Sequence, residues 1–573
     1  MQLFKGKLKE DFFILFVLFG ALRLYFSIHK FYIYPILSDH YQYLTPLVMG
    51  TLNYNLPSAG TNMIDMGWPW FDRLSLAVGL KTALSVLPVA NHHAAALYAL
   101  FVSFTTTMVA FLWVYRNSNY FGAIVFGSLI IVSNLTNVEF AQTLPEATLV
   151  MFSLLAFVSF FPDLNDQKKK DLFLAGFFAM LAAFSKATGA CVPAFLGVYL
   201  LLSENRMKEI PRFALGAVCG TLAVLAGFAF YFGLDGLVQC FNEFIGENID
   251  ANINARKGYT NFVSFIEVFY DLVYLPAFAA LFVFGGAIKD KATRPAYLYA
   301  WTHIAIIYLF YYLSNRGYLP KPRYVMPACF FTIVMTGVYI GRIYNPENTK
   351  ATLSKVFGMS VLFISTIAIG FYLGETWYPD HLFKPRDIGD YPRLLGTLFG
   401  IGPLLTLLLL AAVEAFKTKK LILFTMLFMA LLGSSYSLSK ASRYINYQQF
   451  KSMWFYEKAE LLDSLEVGEV DVYVHVWRSK KRFHRMAWPV HIVYEGQYDD
   501  EGNPYTSETR KTIRPHSTID HFRSNNGMAY ILSDSPDMIR ENLKDGDDVE
   551  VHKEIEWKDL KLYVLKRIKK KQA

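Results

Sequence analysis

The sequence predicts a polytopic α-helical membrane protein that carries a small α/β domain at its C-terminus. Three observations predict it. Of the 573 residues, 54% are hydrophobic, 50 are Phe and 36 are Tyr, and the mean hydropathy is +0.28. Long apolar runs follow one another with few charges between them, which soluble domains of this size do not show. After about residue 439 the composition turns sharply toward charge. The net charge of +8 does not imply a nucleic-acid partner, because the basic residues sit in short clusters between apolar runs, as topology-setting charges do.

A hydrocarbon core takes about 20 apolar residues per helix, and on that measure the chain holds about thirteen spans. They lie near 12–34, 95–115, 119–137, 146–162, 171–185, 188–203, 213–234, 263–287, 295–314, 324–342, 355–374, 395–415 and 420–438. The first follows Lys5, Lys7 and Lys9 with no small-residue cleavage site behind it, so it reads as a retained helix and not a signal peptide. The two spans within 171–203 are short, joined by Lys186-Ala187-Thr188-Gly189, and are expected to be tilted or half-buried. No internal repeat marks this part, which weakens a transporter reading.

Alternate loops carry Lys168-Lys169-Lys170, then Arg206, Lys208 and Arg212, then Lys289, Lys291 and Arg294, then Lys417, Lys419 and Lys420. Together with the N-terminal lysines they fall on one side, the cytoplasm. An odd number of spans then puts the C-terminal region outside the cell membrane. The expected organisation is a transmembrane domain over 1–438, with a first outer loop at about 35–94, and an extracytoplasmic α/β domain over 439–573.

In that last domain Asp471–Trp477, Ala529–Leu532, Val549–His552 and Leu560–Leu565 read as strands. Ser535-Pro536-Asp537 reads as a helix start, with a capping residue, a proline in the first turn and an acid suited to the dipole. The four cysteines, Cys191, Cys219, Cys240 and Cys329, lie in or near apolar segments and show neither disulfide nor metal spacing.

Several residues stand out chemically. Asp39 lies just past the first span, in Ser38-Asp39-His40-Tyr41; a carboxylate at a helix exit is either a base for a membrane-bound substrate or simply solvated. The long aromatic loop behind it holds Asp65, a second candidate for catalysis or metal binding, and Trp68-Pro69-Trp70-Phe71-Asp72-Arg73. Long loops are usually functional or disordered, and the aromatic content argues against disorder. Trp68 and Trp70 also suit interfacial anchoring.

Arg23 lies inside the first span, where a charge needs a partner; Glu139 and Glu146 are the expected ones. Glu146 follows Pro145 and suits a first helical turn. Lys186 either neutralises a phosphate or snorkels to the headgroups. Arg316, Lys321, Arg323 and Tyr324 crowd a short outer loop that breaks the positive-inside bias, and a lipid phosphate would compensate it. Residues 235–261 read as a mobile loop that closes over a substrate, or as a solvated amphipathic helix. His92 and His93 lack partners at metal-ligand spacing and read as interfacial.

In this ordered set the chain resembles the C-type (GT-C) integral-membrane glycosyltransferases. It looks closest to the branch with bacterial aminoarabinose transferase and the protein O-mannosyltransferases. Similar proteins have an aspartate soon after the first helix, as Asp39, and a loop with a proline-aromatic segment, as Trp68-Pro69-Trp70. They have an acid that opens an inner helix, as Glu146, and Lys-x-x-Gly before a proline-bearing helix, as Lys186 to Gly189 and Pro193. Late in the chain comes Arg-Tyr-aliphatic-aliphatic-Pro, as Arg323 to Pro327. The chain departs from the pattern at His40, where many relatives have Glu, and at Gly67-Trp68, where the aminoarabinose branch has a lysine before its double proline. The Trp-Trp-Asp signature of oligosaccharyltransferases is absent from the C-terminal domain.

The resemblance implies transfer of a sugar from a polyprenyl-phosphate donor to a hydroxyl of a lipid, glycan or protein acceptor, among membrane lipids, with inversion. It gives Asp39 the role of general base, with Asp65 second. Lys186, Arg316, Lys321, Arg323, Tyr324, Trp68 and Glu146 form the substrate site. No cofactor is required, although Asp39 and Asp65 leave room for a Mg or Mn ion. The rival readings are a lipid-linked polysaccharide polymerase or ligase and a lipid or polysaccharide transporter without chemistry.

Overall fold

A computed structural model describes residues 10–30, 47, 55–56, 64–65, 73–89, 91–133, 136–137, 140, 144–165, 170–253, 294–308, 326–343, 353–376, 427–428, 431–436, 438–439, 472–475, 513–514, 530–533, 535–541, 543, 547–557 and 560–569. By packing the chain divides into two compact units. One comprises Met1–Ile33, Pro69–Val78 and Ala99–Asn446, the other Tyr34–Trp68, Gly79–Tyr98 and Tyr447–Ala573.

The first unit is helical. Helix α1 (Glu10–Tyr25) runs on into a π-helical turn, Phe26–Lys30. Helices α2 (Leu74–Val86) and α3 (Asn91–Asn117) follow, and both cross the boundary between the units. Then come α4 (Tyr120–Val132), α5 (Pro145–Phe160), α6 (Leu172–Ala183) and α7 (Cys191–Leu201). They are succeeded by α8 (Arg206–Ile253), α9 (Arg294–Tyr308), α10 (Met326–Ile343) and α11 (Leu353–Thr376). Ten of these eleven match expected spans in order; the other, α2, falls within the expected first outer loop. The expected spans near 263–287 and 395–415 lie outside the described residues, and the one near 420–438 is described only in part.

Several helices are shorter than a span. At about 1.5 Å per residue, α4, α6 and α7 reach only about 17–20 Å. Of the two readings of residues 235–261 the helix holds as far as Ile253: the chain bends at Gly233, whose φ of 74° is a left-handed value that suits glycine, and then continues as helix to Ile253.

Helices α3 and α8 contain stretches long and apolar enough to cross a membrane, His93–Asn117 and Arg206–Asn242. Helix α8 also turns Leu215, Leu222, Phe230 and Leu234 outward, Phe230 at 82% exposure. Its other face presents Gly216 and Gly220, where an added Cβ would meet the carbonyl oxygens of Phe173 and Phe177 at 2.0 and 2.5 Å. Gly176 on α6 is equally tight, since an added Cβ would meet Phe213 O at 2.1 Å. The same device joins α4 to α10, where a Cβ added to Gly122 would meet Gly337 O at 2.6 Å and one added to Gly341 would meet Ser118 and Gly122. Glycines four apart let two backbones approach closely, as packing between lipid-bathed helices requires.

One end of the bundle is tied by polar groups. The Asn117 side chain, at the end of α3, donates to Trp113 O at 3.0 Å and Pro162 O at 3.3 Å, and accepts from Leu164 N at 2.7 Å. Arg342, at the end of α10, donates through Nε to Asn117 O at 2.9 Å and through Nη2 to Asn165 Oδ1 at 3.0 Å. Asn119 caps α4 by accepting from Gly122 N. The C-termini of α3, α5 and α10 and the N-terminus of α4 therefore meet here. The N-termini of α5 and α10 and the C-terminus of α4 lie at the opposite end.

In the second unit a two-residue hairpin pairs β1 (Asn55–Leu56) with β2 (Ile64–Asp65), and Lys81 Nζ donates to Leu47 O at 2.6 Å. The C-terminal region forms a mixed sheet of β3 (Val472–His475), β4 (Ile513–Arg514), β5 (Tyr530–Ser533), β6 (Asp547–Trp557) and β7 (Leu560–Lys569). The strand order is β4-β3-β5-β7-β6. Strands β4 and β5 flank β3 in parallel, and β7 runs antiparallel to both β5 and β6. Helix α12 (Pro536–Glu541) starts where the proline predicted. Ile531, Ile539, Val549 and Leu565 form the core. Across the hairpin Asp547 pairs with Arg567, and Lys561 with Glu554 at 2.6 Å. That hydrogen bond raises the Lys561 pKa above its ordinary value.

Candidate functional site

The chemistry-bearing residues that are described gather at the end of the bundle away from Asn117. Glu146 is placed by Pro145, which takes the first position of α5, where its missing N–H costs nothing. Lys186 sits in extended backbone between α6 and a 3-10 turn, Ala187–Ala190. That turn closes with Gly189 N donating to Lys186 O at 2.7 Å. Gly189 lies so close to Ala182 that a Cβ would meet its carbonyl oxygen at 2.1 Å. Lysine and glycine three residues apart are thus both used: the glycine lets the turn fold back on α6 and the lysine projects from it.

The lysine projects inward. Lys186 is 8% exposed, and its ammonium pairs with the Glu146 carboxylate, itself 2% exposed. The snorkelling expectation is therefore corrected, because a buried carboxylate offers the ammonium a stronger partner than headgroup water. The start of α2 braces the same turn: Ser75 N donates to Phe184 O at 3.0 Å and Ser75 Oγ to Leu181 O at 2.8 Å.

Arg23 is also buried, but no carboxylate among the described residues pairs with it. Its guanidinium donates to Asn137 Oδ1 and, at 2.7 Å, to Ser103 Oγ, and lies 5.9 Å from the Phe140 ring. Asn137 in turn donates to the carbonyls of Ile130, Ile131 and Ser133. The expected Arg23–Glu146 pair is corrected, since Lys186 holds Glu146; Glu139 lies outside the described residues.

Beside these, Cys191 Sγ lies 3.7 Å from His303 Nδ1, and His303 stacks on Phe331 at 5.0 Å. Tyr299 donates to Ser153 O at 2.9 Å. This junction joins α5, α7, α9 and α10. The sequence reading missed it, since nothing local pairs residues 112 apart. All four cysteines are free thiols.

Along α1, α4 and α11 runs an apolar groove with a cavity of about 390 Å³. Leu15, Phe19, Ile124, Phe363 and Ile367 line it, with Tyr25 and Tyr372 where α1 and α11 end. Its composition suits a hydrocarbon chain and not a polar ligand.

Asp39, Trp68, Arg316, Lys321, Arg323 and Tyr324 lie outside the described residues, and Asp65 is described only as backbone of β2. The segment from Arg323 leads directly into α10 at Met326, at the end of the bundle that holds Glu146. Among the described residues no group of three or more His, Cys, Asp or Glu side chains is placed to hold a metal ion.

No protein-family model and no curated protein sequence matches the chain. Solved structures do. The chain is similar to ArnT from Cupriavidus metallidurans bound to undecaprenyl phosphate, with a TM-score of 0.54 and 14% identity over 97% of this chain and 98% of that one. It is similar to apo ArnT from the same organism, with a TM-score of 0.54 and 13% identity over 97% of each chain. ArnT is an aminoarabinose transferase of the GT-C type. Over nearly its whole length, this chain therefore shares the fold of ArnT.

Proposed function

We propose that the protein transfers a sugar from a polyprenyl-phosphate-linked donor to an acceptor hydroxyl on the outer face of the membrane. The observation that carries this reading is the likeness of fold, along nearly the full length of both chains, to a transferase bound to undecaprenyl phosphate. The groove along α1, α4 and α11 supports it, as an apolar channel for the polyprenyl tail that ends near the buried polar groups. Lys186, Arg323 and Tyr324 stabilise the departing phosphate, where charge builds up. Asp39 takes the proton of the acceptor hydroxyl as its oxygen attacks the anomeric carbon and the bond to phosphate breaks. One displacement inverts that carbon. The acceptor is a lipid, a glycan or a protein. A Mg or Mn ion held by Asp39 and Asp65 is not needed for this step, and activity that survives chelation would agree.

In this reading the N-terminus is cytoplasmic, about thirteen helices cross the bilayer, and the C-terminal domain lies outside. Cysteines placed at exposed Arg206 and Glu554 test the topology. A membrane-impermeant thiol reagent should label the second and spare the first; the reverse pattern would put Asp39 in the cytoplasm. Asp39→Asn tests the chemistry. It keeps size and hydrogen bonding but removes basicity, and should lower turnover by about 10²–10⁴ with the fold intact. A stable variant with wild-type turnover would remove Asp39 from the mechanism. Product length separates single-sugar transfer from polymerisation, and an unchanged donor would mark a transporter.

A further inference from the structure

Arg23 is 2% exposed, and its recorded partners are the neutral Asn137, Ser103 and Phe140. Its Nε meets no acceptor among the described residues. Among the described residues no carboxylate pairs with it, and the nearest expectation, Glu146, pairs with Lys186. Removing a full charge from water without a counter-charge is costly, more so among membrane helices. Asn137 and Ser103 hold the guanidinium in place through oxygen dipoles, and no carboxylate among the described residues cancels its charge.

The charge is also well placed. Phe140, against which Arg23 lies, meets Phe330 edge-on at 6.1 Å. Phe330 belongs to the first turns of α10, directly after Arg323 and Tyr324. In a low-dielectric interior the field of a fixed charge reaches well beyond contact distance, and salt screens it little.

We infer that Arg23 is a positioning residue whose buried charge draws the donor's phosphate to this end of the bundle; the inference rests on the proposed function. It acts through space and not by contact, which explains how it can be both buried and useful. It is distinct from Arg316, Lys321 and Arg323 in the basic segment before α10.

The test compares binding of undecaprenyl phosphate and neutral undecaprenol to the full-length protein in nanodiscs. Wild type should prefer the phosphate. Arg23→Gln removes the charge, and Ser103→Asp sets a carboxylate beside the intact guanidinium. Each should cut the preference about tenfold, the effect of one unit charge at about 12 Å in an effective dielectric of about 20. Arg23→Lys should retain most of it. Undecaprenol affinity should stay level throughout, which separates lost charge from lost structure. Should Arg23→Gln fail to fold, Ser103→Asp carries the same test. A folded variant that keeps the wild-type preference overturns the inference and leaves the proposed function standing. A wild type that binds both lipids equally overturns both.

Discussion

The buried pair of Glu146 and Lys186 yields the sharpest stability prediction. Their side chains are 2% and 10% exposed, so neither charge can turn to bulk water when the other is removed. Glu146→Gln leaves an ammonium buried without that carboxylate, and Lys186→Met leaves a carboxylate buried without that ammonium. Breaking such a pair costs about 3–5 kcal/mol. Replacing both partners removes both desolvation penalties, so the double variant should cost far less than the two single changes together. Unfolding in mixed detergent micelles, followed by tryptophan fluorescence, measures all four corners of the cycle. Additive single effects of under about 1 kcal/mol each, the range for solvent-exposed pairs, would refute a buried pair. Activity adds a second reading of the same proteins. If Lys186 also meets the donor phosphate, the double variant recovers stability without recovering turnover.

Other changes test neighbouring features. Gly189→Ala drives a methyl group into the Ala182 carbonyl, 2.1 Å from its ideal position, and should cost about 1–3 kcal/mol in the same unfolding assay while displacing Lys186. Gly216→Leu should separate α8 from α6, since even a Cβ there meets Phe173 O at 2.0 Å; a sharp fall in thermal stability and in folded yield is expected. Arg323→Ala should weaken binding of the polyprenyl-phosphate donor by about 1.5–3 kcal/mol, the range for hydrogen bonds to charged groups. Wild-type affinity in that variant would show that the basic segment only touches headgroups.

The described helices were legible because the apolar runs are bounded by charge or proline, as at Asp171 before α6 and Pro145 in α5. The α/β character of the C-terminal domain was legible from alternation in Leu560–Leu565 and the helix start at Pro536, but its strand order was not, since pairing such as Tyr530 with Lys566 is non-local. Gly216-x-x-x-Gly220 and Gly337-x-x-x-Gly341 were in plain view and went unread; they mark the crossings of α8 on α6 and α10 on α4. Lys186 stands out in the sequence by its Lys-x-x-Gly setting, but its partner Glu146 lies 40 residues away and no local signal names it. Arg23 misled in the opposite sense. A buried cation invites the guess of a carboxylate, whereas the fold supplies an amide, a hydroxyl and an aromatic ring.

The most direct test of the central claim is transfer itself. The purified protein is supplied with a polyprenyl-phosphate donor labelled in its sugar, together with a membrane extract as the source of acceptor. The account predicts that the label leaves the polyprenyl lipid, that free polyprenyl phosphate accumulates in equal amount, and that the label reappears on an acceptor with the opposite anomeric configuration. Donor that stays intact while the protein binds it, or moves it across a vesicle wall, would contradict the account and make the protein a carrier built on a glycosyltransferase fold.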